Sequence, residues 1–304
     1  MKVLGIPVLD ITGSALSVAL GGMLFYTAYL VQTGQPLITK NVPVVAAALL
    51  SQITLDPNNI SGRAAVVYDP TSGRVLFAKN ADETLPLASL TKLMTAQTVL
   101  AKKDLATNVY ITKQDLAPDG DWGLKPGEVW SLKQLLTFGL VASSNDAMAA
   151  AAAAAGPDIV GSMNATAQSL GLSHMYFANP TGLDLDQGTA GAYGSARDVA
   201  LLAAHFLQTN PELFEQTSHP SVSIQNNTSI LTASSTDLPL LDIPGIIAAK
   251  TGYTDLAGGN LVAVFDVEVG HPIVVAVLGS TRDGRFDDVR SLVAAVRARP
   301  ELKN

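Results

Sequence analysis

Hydrophobic and polar positions change their pattern several times along the chain, and the first pattern is an uncharged, mainly apolar run from Ile11 to Val31. A helix that crosses a bilayer needs about 20 such residues, whereas the apolar core of a cleaved signal peptide usually has about 7 to 15. We therefore predict a transmembrane signal anchor over residues 11–31. A cleaved signal peptide is the alternative, and both interpretations export the rest of the chain.

Residues 32–61, which contain several prolines, are predicted to form a linker, and residues 62–298 a single catalytic domain. Apolar, β-branched runs at 65–68 and 74–78 flank the turn sequence Asp69-Pro70-Thr71-Ser72-Gly73, which indicates a β-hairpin. Three more strands are predicted at 246–253, 260–269 and 273–279. A final amphipathic helix places these residues on its apolar face: Phe286, Val289, Leu292, Val293 and Val296.

From Ser89 to about residue 210 the chain has mainly helical periodicity. A helix is predicted at Ser89, and others at 131–140, 149–155, 159–170 and 196–207. Ser131 and Gln134 have the spacing of a capping box, and Gly171 follows the fourth helix as a stop signal. The pattern predicts an α+β fold, in which an antiparallel sheet is flanked by helices and carries an inserted all-helical subdomain.

Composition narrows the functional classes. The chain has 304 residues, of which 48% are hydrophobic, so it can bury a sizeable core. Its formal net charge of -7 and the lack of a Lys/Arg-rich run argue against nucleic-acid binding. The sequence has no cysteine, and its four histidines lack ligand spacing. We expect no metal and no cofactor.

Three short motifs follow one another along the predicted domain. Ser89-x-x-Lys92 opens a helix, Ser143-x-Asn145 lies between two helices, and Lys250-Thr251-Gly252 lies on a predicted strand. Each motif alone has an ordinary interpretation, since the first pair could face water, the second could cap a helix and the third could end a strand. Together and in this order they match the set found in penicillin-binding proteins and class A β-lactamases.

Lys92 lies one helical turn from Ser89, at the edge of an apolar stripe. A serine hydroxyl is a weak nucleophile until a base removes its proton, and no triad histidine is evident. A lysine can act as this base only if its amine is neutral. Burial and a second cation, which Lys250 could supply, both favour the neutral form.

Over roughly residues 62 to 290 the chain resembles the serine-type D-alanyl-D-alanine carboxypeptidases of the low-molecular-mass penicillin-binding protein group. The resemblance implies the β-lactamase/transpeptidase-like fold, with the active site between the sheet and the helical block. The stretches that add to the match are Val67-Tyr68-Asp69, Pro86-Leu87-Ala88, Ser144-Asn145-Asp146-Ala147, Asn179-Pro180-Thr181-Gly182-Leu183, Lys250-Thr251-Gly252-Tyr253-Thr254 and Arg285-Phe286.

The resemblance and the chemistry together imply a catalytic set. Ser89 would attack the carbonyl between two D-alanines and form an acyl-enzyme, with Lys92 as its base. Ser143 would pass a proton between Lys92 and the leaving amine. The backbone N–H groups of Ser89 and Tyr253 would form the oxyanion hole.

A second set of residues would bind the substrate. Asn145 would hydrogen-bond the peptide backbone of the substrate, and Lys250 and Thr251 would hold its terminal carboxylate. Gly252 would let the strand backbone lie close to the substrate. The expected partners are peptidoglycan stem peptides ending in D-Ala-D-Ala, β-lactam antibiotics as inhibitors, and the bacterial cell membrane through residues 11–31, with the catalytic domain extracytoplasmic or secreted.

Two departures from the family pattern stand out. Thr181 occupies the position of a histidine in many relatives, and we expect this difference to touch no catalytic residue of the motifs and to alter the rim of the site. The chain stops soon after the predicted catalytic domain, without the additional carboxyl-terminal β domain and amphipathic anchor of many relatives. The amino-terminal helix would then tether the protein.

Three other functions stay open. A D,D-endopeptidase that cuts peptidoglycan cross-links would use the same motifs. A class A β-lactamase commonly needs a Glu-x-x-Leu-Asn segment, which is absent between Asn145 and Lys250. A catalytically silent cell-wall binding protein would keep the fold without turnover.

Overall fold

The computed structural model describes residues 55–120 and 123–299. The predicted membrane span at 11–31 and most of the predicted linker lie outside these residues. Within the described ranges, no helix has both the length and the apolar character needed to cross a membrane.

A five-stranded antiparallel sheet forms the centre of the domain. In spatial order its strands are β10 (Ile246–Thr254), β11 (Gly258–Glu268), β12 (His271–Ser280), β1 (Ala64–Asp69) and β2 (Arg74–Lys79). The predicted hairpin and the three predicted late strands are confirmed. Val66 of β1 pairs with Ala276 of β12, so the sheet joins the two ends of the domain.

Both faces of this sheet are buried, which explains why its strands are apolar at almost every position. Successive residues of a strand point to opposite faces. Ala64 and Val66 accordingly belong to a core shared with the helical block. Ala65 and Val67 belong to a second core, which the predicted carboxyl-terminal helix α7 (Gly284–Arg297) covers with its apolar face.

The helical block lies on the other face of the sheet. A 3₁₀ turn, Ala88–Leu90, leads into the first helix, and the last long helix packs directly on β1 and β12. The helices are α1 (Thr91–Leu100), α2 (Leu132–Val141), α3 (Asn145–Ala155), α4 (Ile159–Ser169), α5 (Ala196–Thr209) and α6 (Pro211–Glu215).

The expectation of an all-helical insertion is wrong, because short strands interrupt the block. Most of them have only two or three residues, too few to leave a period-two pattern in the sequence. The hairpin β8–β9 is longer, and Val222 and Ile224 alternate there with exposed polar residues, a readable strand signal that was not predicted. The strands are β3 (Leu85–Pro86), β4 (Asn108–Tyr110), β5 (Val129–Ser131), β6 (Tyr176–Phe177), β7 (Ala192–Gly194), β8 (Ser221–Gln225) and β9 (Ile230–Ser234).

Helix α2 begins at the predicted capping box. The Ser131 hydroxyl accepts a hydrogen bond from Gln134 N at 3.3 Å, and the Gln134 side chain accepts one from Ser131 N at 3.0 Å. Both bonds satisfy N–H groups that have no partner within the helix. This start fixes the helix that ends just before the Ser143 turn.

We expect Ser131→Ala to lower the free energy of unfolding by about 1 kcal/mol, because it removes the side-chain half of this cap. Denaturant unfolding of the full chain measures the loss. Ser291→Ala is the matched control, since Ser291 bonds only to the Asp287 carbonyl within α7. Its effect should stay within about 0.5 kcal/mol, and equal losses in both variants would contradict the cap.

Candidate active site

Ser89 lies in the 3₁₀ turn that precedes α1, with its hydroxyl beside a buried amine. Lys92, one turn further on, is fully buried, and its Nζ lies 2.7 Å from Ser89 Oγ. Ala88 has φ +48, a left-handed conformation that side chains rarely adopt. The turn therefore holds strain immediately before the candidate nucleophile, as is common at functional sites.

Lys92 has two further partners, which come from two other parts of the helical block. Its Nζ contacts Asn145 Oδ1 at 2.7 Å and the Thr181 carbonyl at 2.9 Å. Asn145 Nδ2 in turn donates to the Asp119 carbonyl at 2.6 Å. The predicted neighbours Ser89, Lys92 and Asn145 are thus brought together around one nitrogen.

Thr181 lies deeper than the rim of the site, but it contacts a catalytic residue of the motifs through its main chain and not through the side chain that differs from the relatives. Thr181 is buried, and its main-chain carbonyl is one of the three Lys92 partners. Its hydroxyl contacts Asn179 Oδ1, which also accepts from the N–H of Gly182 at 2.7 Å. A Cβ on Gly182 would lie 1.9 Å from the Ala88 carbonyl, so this loop packs directly on the Ser89 turn.

Lys250 reaches the site from the sheet. It is fully buried on β10, and its Nζ donates to Ser143 Oγ and to the Thr251 carbonyl, both at 2.9 Å. Ser143 has φ +60, a second strained position beside the site. The hydrogen bond of Ser143 runs to Lys250, and its role as a relay from Lys92 stays a prediction.

The strand β10 approaches the Ser89 turn more closely than a side chain would allow. A Cβ on Gly252 would lie 2.9 Å from the Leu87 carbonyl and 3.1 Å from Ser89 N. Gly252 is therefore needed for contact with the protein's own backbone as well as for the predicted contact with substrate. Arg285 Nη1 donates to the Gly252 carbonyl at 2.6 Å and secures the strand from its other side. Tyr253 comes next on β10, and the oxyanion hole predicted at its N–H stays a prediction.

Burial dominates the electrostatics of both lysines. It holds the pKa of Lys92 well below its usual range, and the nearby charge of Lys250 lowers it further. Burial also lowers the pKa of Lys250 to about 8, with Asp237 opposing this shift and Arg285 adding to it. Burial and the Lys250 charge thus both favour the neutral amine of Lys92, whereas Lys250, with a pKa of about 8, keeps its charge at neutral pH.

Open space lies beside this cluster, at the end of β10. A cavity of about 500 Å³ is lined there by Tyr253, Thr254 and Asp184, among others. Asp184 accepts a hydrogen bond from the Thr254 hydroxyl at 3.0 Å, which ties the loop after Thr181 to the strand.

Sequence reasoning missed several contributors to the site. The carbonyls of Asp119 and Thr181 act through the main chain, which carries no sequence signature. Asp237 lies in an ordinary loop sequence, and its burial depends on tertiary packing. Arg285 was noted only as part of a family stretch, and its place beside the buried Lys250 could not be read from spacing.

Comparisons with known proteins agree with this geometry. The family model described as D-alanyl-D-alanine carboxypeptidase, peptidase family S11, matches residues 51–282. The D-alanyl-D-alanine carboxypeptidase DacC of Escherichia coli is 31% identical over 267 residues, which cover 81% of this chain and 64% of DacC. The chain thus spans slightly less than two thirds of the length of this relative.

Solved structures give the same result for the fold. A D-alanyl-D-alanine carboxypeptidase from Mycobacterium tuberculosis superposes with a TM-score of 0.71 at 28% identity, covering 80% of this chain and 93% of that one. The ampicillin-bound penicillin-binding protein D2 of Listeria monocytogenes gives a TM-score of 0.68 at 31% identity, and the match covers 78% of this chain and 97% of that one. The fold is therefore that of the penicillin-binding proteins, as the resemblance implied.

A family match over most of the chain, a shared fold and three motifs gathered around two buried lysines agree with one another, and the chain belongs to the S11 peptidase family of D-alanyl-D-alanine carboxypeptidases.

Proposed function

We propose that this protein is a serine D-Ala-D-Ala carboxypeptidase, which removes the terminal D-alanine from peptidoglycan stem peptides through an acyl-enzyme on Ser89. The observation that carries this proposal is the 2.7 Å contact between Ser89 Oγ and the fully buried Nζ of Lys92. Family membership supports the same reaction and substrate class.

The partners of Lys92 suit a neutral amine. A neutral amine has two N–H donors and one lone pair, and Lys92 has three neighbours. Asn145 Oδ1 and the Thr181 carbonyl can only accept, so they take the two donors. The lone pair is then left for the hydroxyl proton of Ser89, which is the arrangement that a general base requires.

The reaction then proceeds in two steps. Ser89 Oγ bonds to the carbonyl carbon of the scissile peptide as its proton passes to Lys92 Nζ, and the C–N bond breaks as the leaving amine receives a proton. The charged Lys250, with Thr251, would hold the carboxylate of the departing D-alanine. A water molecule then hydrolyses the ester and restores Ser89.

A β-lactam would follow the same first step. It imitates the D-Ala-D-Ala terminus, so its carbonyl would acylate Ser89 while its carboxylate faces Lys250. The relative from Listeria with bound ampicillin supports this part of the proposal.

The proposed organisation is a membrane anchor at residues 11–31, a linker at 32–61 and the catalytic domain at 62–298, outside the cytoplasm. The uncharged run from Ile11 to Val31 supports it.

We expect the full-length protein to stay in the membrane pellet after alkaline carbonate extraction. Its appearance as a shortened chain in the medium would instead support cleavage of the segment.

The full chain should release free D-alanine from a pentapeptide that ends in D-Ala-D-Ala and should bind fluorescent penicillin covalently. Both signals should vanish in Ser89→Ala, because no other hydroxyl lies against Lys92 Nζ among the described residues. Ser291→Ala is the control and should keep both. Labelling that survives in Ser89→Ala would refute the nucleophile. Labelling without D-alanine release would favour an endopeptidase or a silent binder.

We expect a bell-shaped pH dependence of kcat/KM for D-alanine release. Activity should rise with pH as Lys92 loses its proton, at a pKa well below that of an ordinary lysine. It should fall near pH 8 as Lys250 loses its proton, because the pKa of Lys250 is about 8.

Lys92→Arg keeps a positive charge that cannot be removed, so acylation should slow by at least about 100-fold at every pH. The exposed Lys102→Arg should leave the profile unchanged. Normal acylation in Lys92→Arg would rule out the lysine base.

A further inference from the structure

Asp237 is a buried carboxylate that the reaction described above does not use. It lies between β9 and β10, at the start of the 3₁₀ turn Leu238–Leu240. Its side chain is fully buried, and neither carboxylate oxygen has a hydrogen-bond partner within the described part of the chain. Burial of a charge is costly unless an opposite charge compensates it.

The compensating charges belong to the active site. Lys250 and Arg285 both favour the charged form of Asp237, although burial raises its pKa to about 6. Thr251 also favours the charged form of Asp237, although its polar groups do not meet the geometry of a hydrogen bond to the carboxylate. Lys250 is fully buried and Arg285 nearly so. Charges interact strongly in such an environment, because little water screens them.

The backbone around Asp237 is fixed on two sides. Thr236 N donates to the Val141 carbonyl at 3.1 Å, two residues before Ser143, and the Thr236 hydroxyl accepts from the Thr251 hydroxyl at 2.7 Å. Asp237 N donates to Ser235 Oγ at 3.1 Å. These bonds tie the loop to the end of α2 and to β10, so the carboxylate is held in the interior beside the Lys250 strand.

We propose that Asp237 is a positioning residue: its buried carboxylate, which the loop before β10 holds beside the Lys250 strand, supplies the negative charge that balances the ammonium group of Lys250 for binding the carboxylate of the substrate. The charged groups around Lys250 are Lys92 from α1, Arg285 from α7 and Asp237 from the loop before β10. Arg285 is a cation and disfavours a further positive charge, Asp237 opposes it, and Lys92 adds a positive charge only when it is protonated. The hydrogen-bond partners of Lys250, Ser143 and Thr251, are neutral.

Loss of the Asp237 charge would disturb both lysines in opposite directions. The pKa of Lys250 would fall below about 8, since the group that raises it is gone. Where Lys250 loses its proton, its charge no longer lowers the pKa of Lys92, and the pKa of Lys92 would rise. Removal of the Asp237 charge would thus weaken the carboxylate-binding cation and also make the base harder to deprotonate. This inference deepens the proposed carboxypeptidase function and rests on it for its biological meaning.

The first test follows Lys250 directly and does not depend on turnover. The full chain is labelled with ¹³Cε-lysine and titrated by NMR, with the Lys250 signal assigned by Lys250→Arg. In Asp237→Asn, which keeps the size and removes the charge, the Lys250 titration should move to lower pH by about one unit or more. Asp242→Asn is the matched control, because Asp242 lies in the same connection but is exposed and pairs with Arg290. An unmoved Lys250 titration in Asp237→Asn would overturn the inference.

The second test uses the alkaline limb of the kcat/KM profile. Asp237→Asn should move this limb to lower pH, and Asp237→Glu, which retains the charge, should keep it near its original position. A purely structural role would lower activity equally at all pH values and leave the limb in place, which would also overturn the inference. If Asp237→Asn does not fold, Asp237→Ser removes the charge with a smaller side chain. A wild-type chain that releases no D-alanine would refute the proposed function, and the NMR titration would still decide this inference.

Discussion

Two lysine side chains buried within reach of each other's charge are the constraint on which the rest of the site depends. Neither Lys92 nor Lys250 is exposed to water, and the charge of Lys250 disfavours a second charge on Lys92. The protein resolves this conflict by giving the two amines different surroundings. Lys92 has only neutral partners, whereas Lys250 has a carboxylate nearby. One sequence thus places a base and a cation, made of the same chemical group, within a single cleft.

The fold gives the two lysines different surroundings because they come from different layers. Lys92 belongs to a helix of the block and Lys250 to a strand of the sheet, so the distance between them is set by how closely the layers pack. Two glycines make that packing possible. Gly182 lets its loop contact the Ala88 turn, and Gly252 lets β10 contact the same turn from the other side. The strained backbone of Ala88 is held in place between these contacts.

The sequence predicted the parts of this molecule that depend on local pattern. The hairpin at Asp69 has turn residues between two apolar runs, the cap at Ser131 has the Ser-x-x-Gln spacing, and the long strands near the carboxyl end are continuous apolar runs. The motif residues around Ser89 and Lys250 were found because their spacing is distinctive. Strands of two or three residues leave no period to detect. Carbonyl partners such as Thr181 depend on backbone position, and the burial of Asp237 depends on segments that are distant in sequence.

The order of strands in the central sheet has a consequence for how the protein is made. β1 pairs with β12, whereas its neighbour in sequence, β2, occupies the edge of the sheet. A growing chain that ends before β12 lacks the strand that joins β1 to β11 and β10. Contacts between such distant segments form late and slowly during folding. The nucleophile Ser89 is therefore synthesised long before the carboxyl-terminal strands that complete the sheet beside it, and Lys92 and Lys250 come together only after those strands have been made.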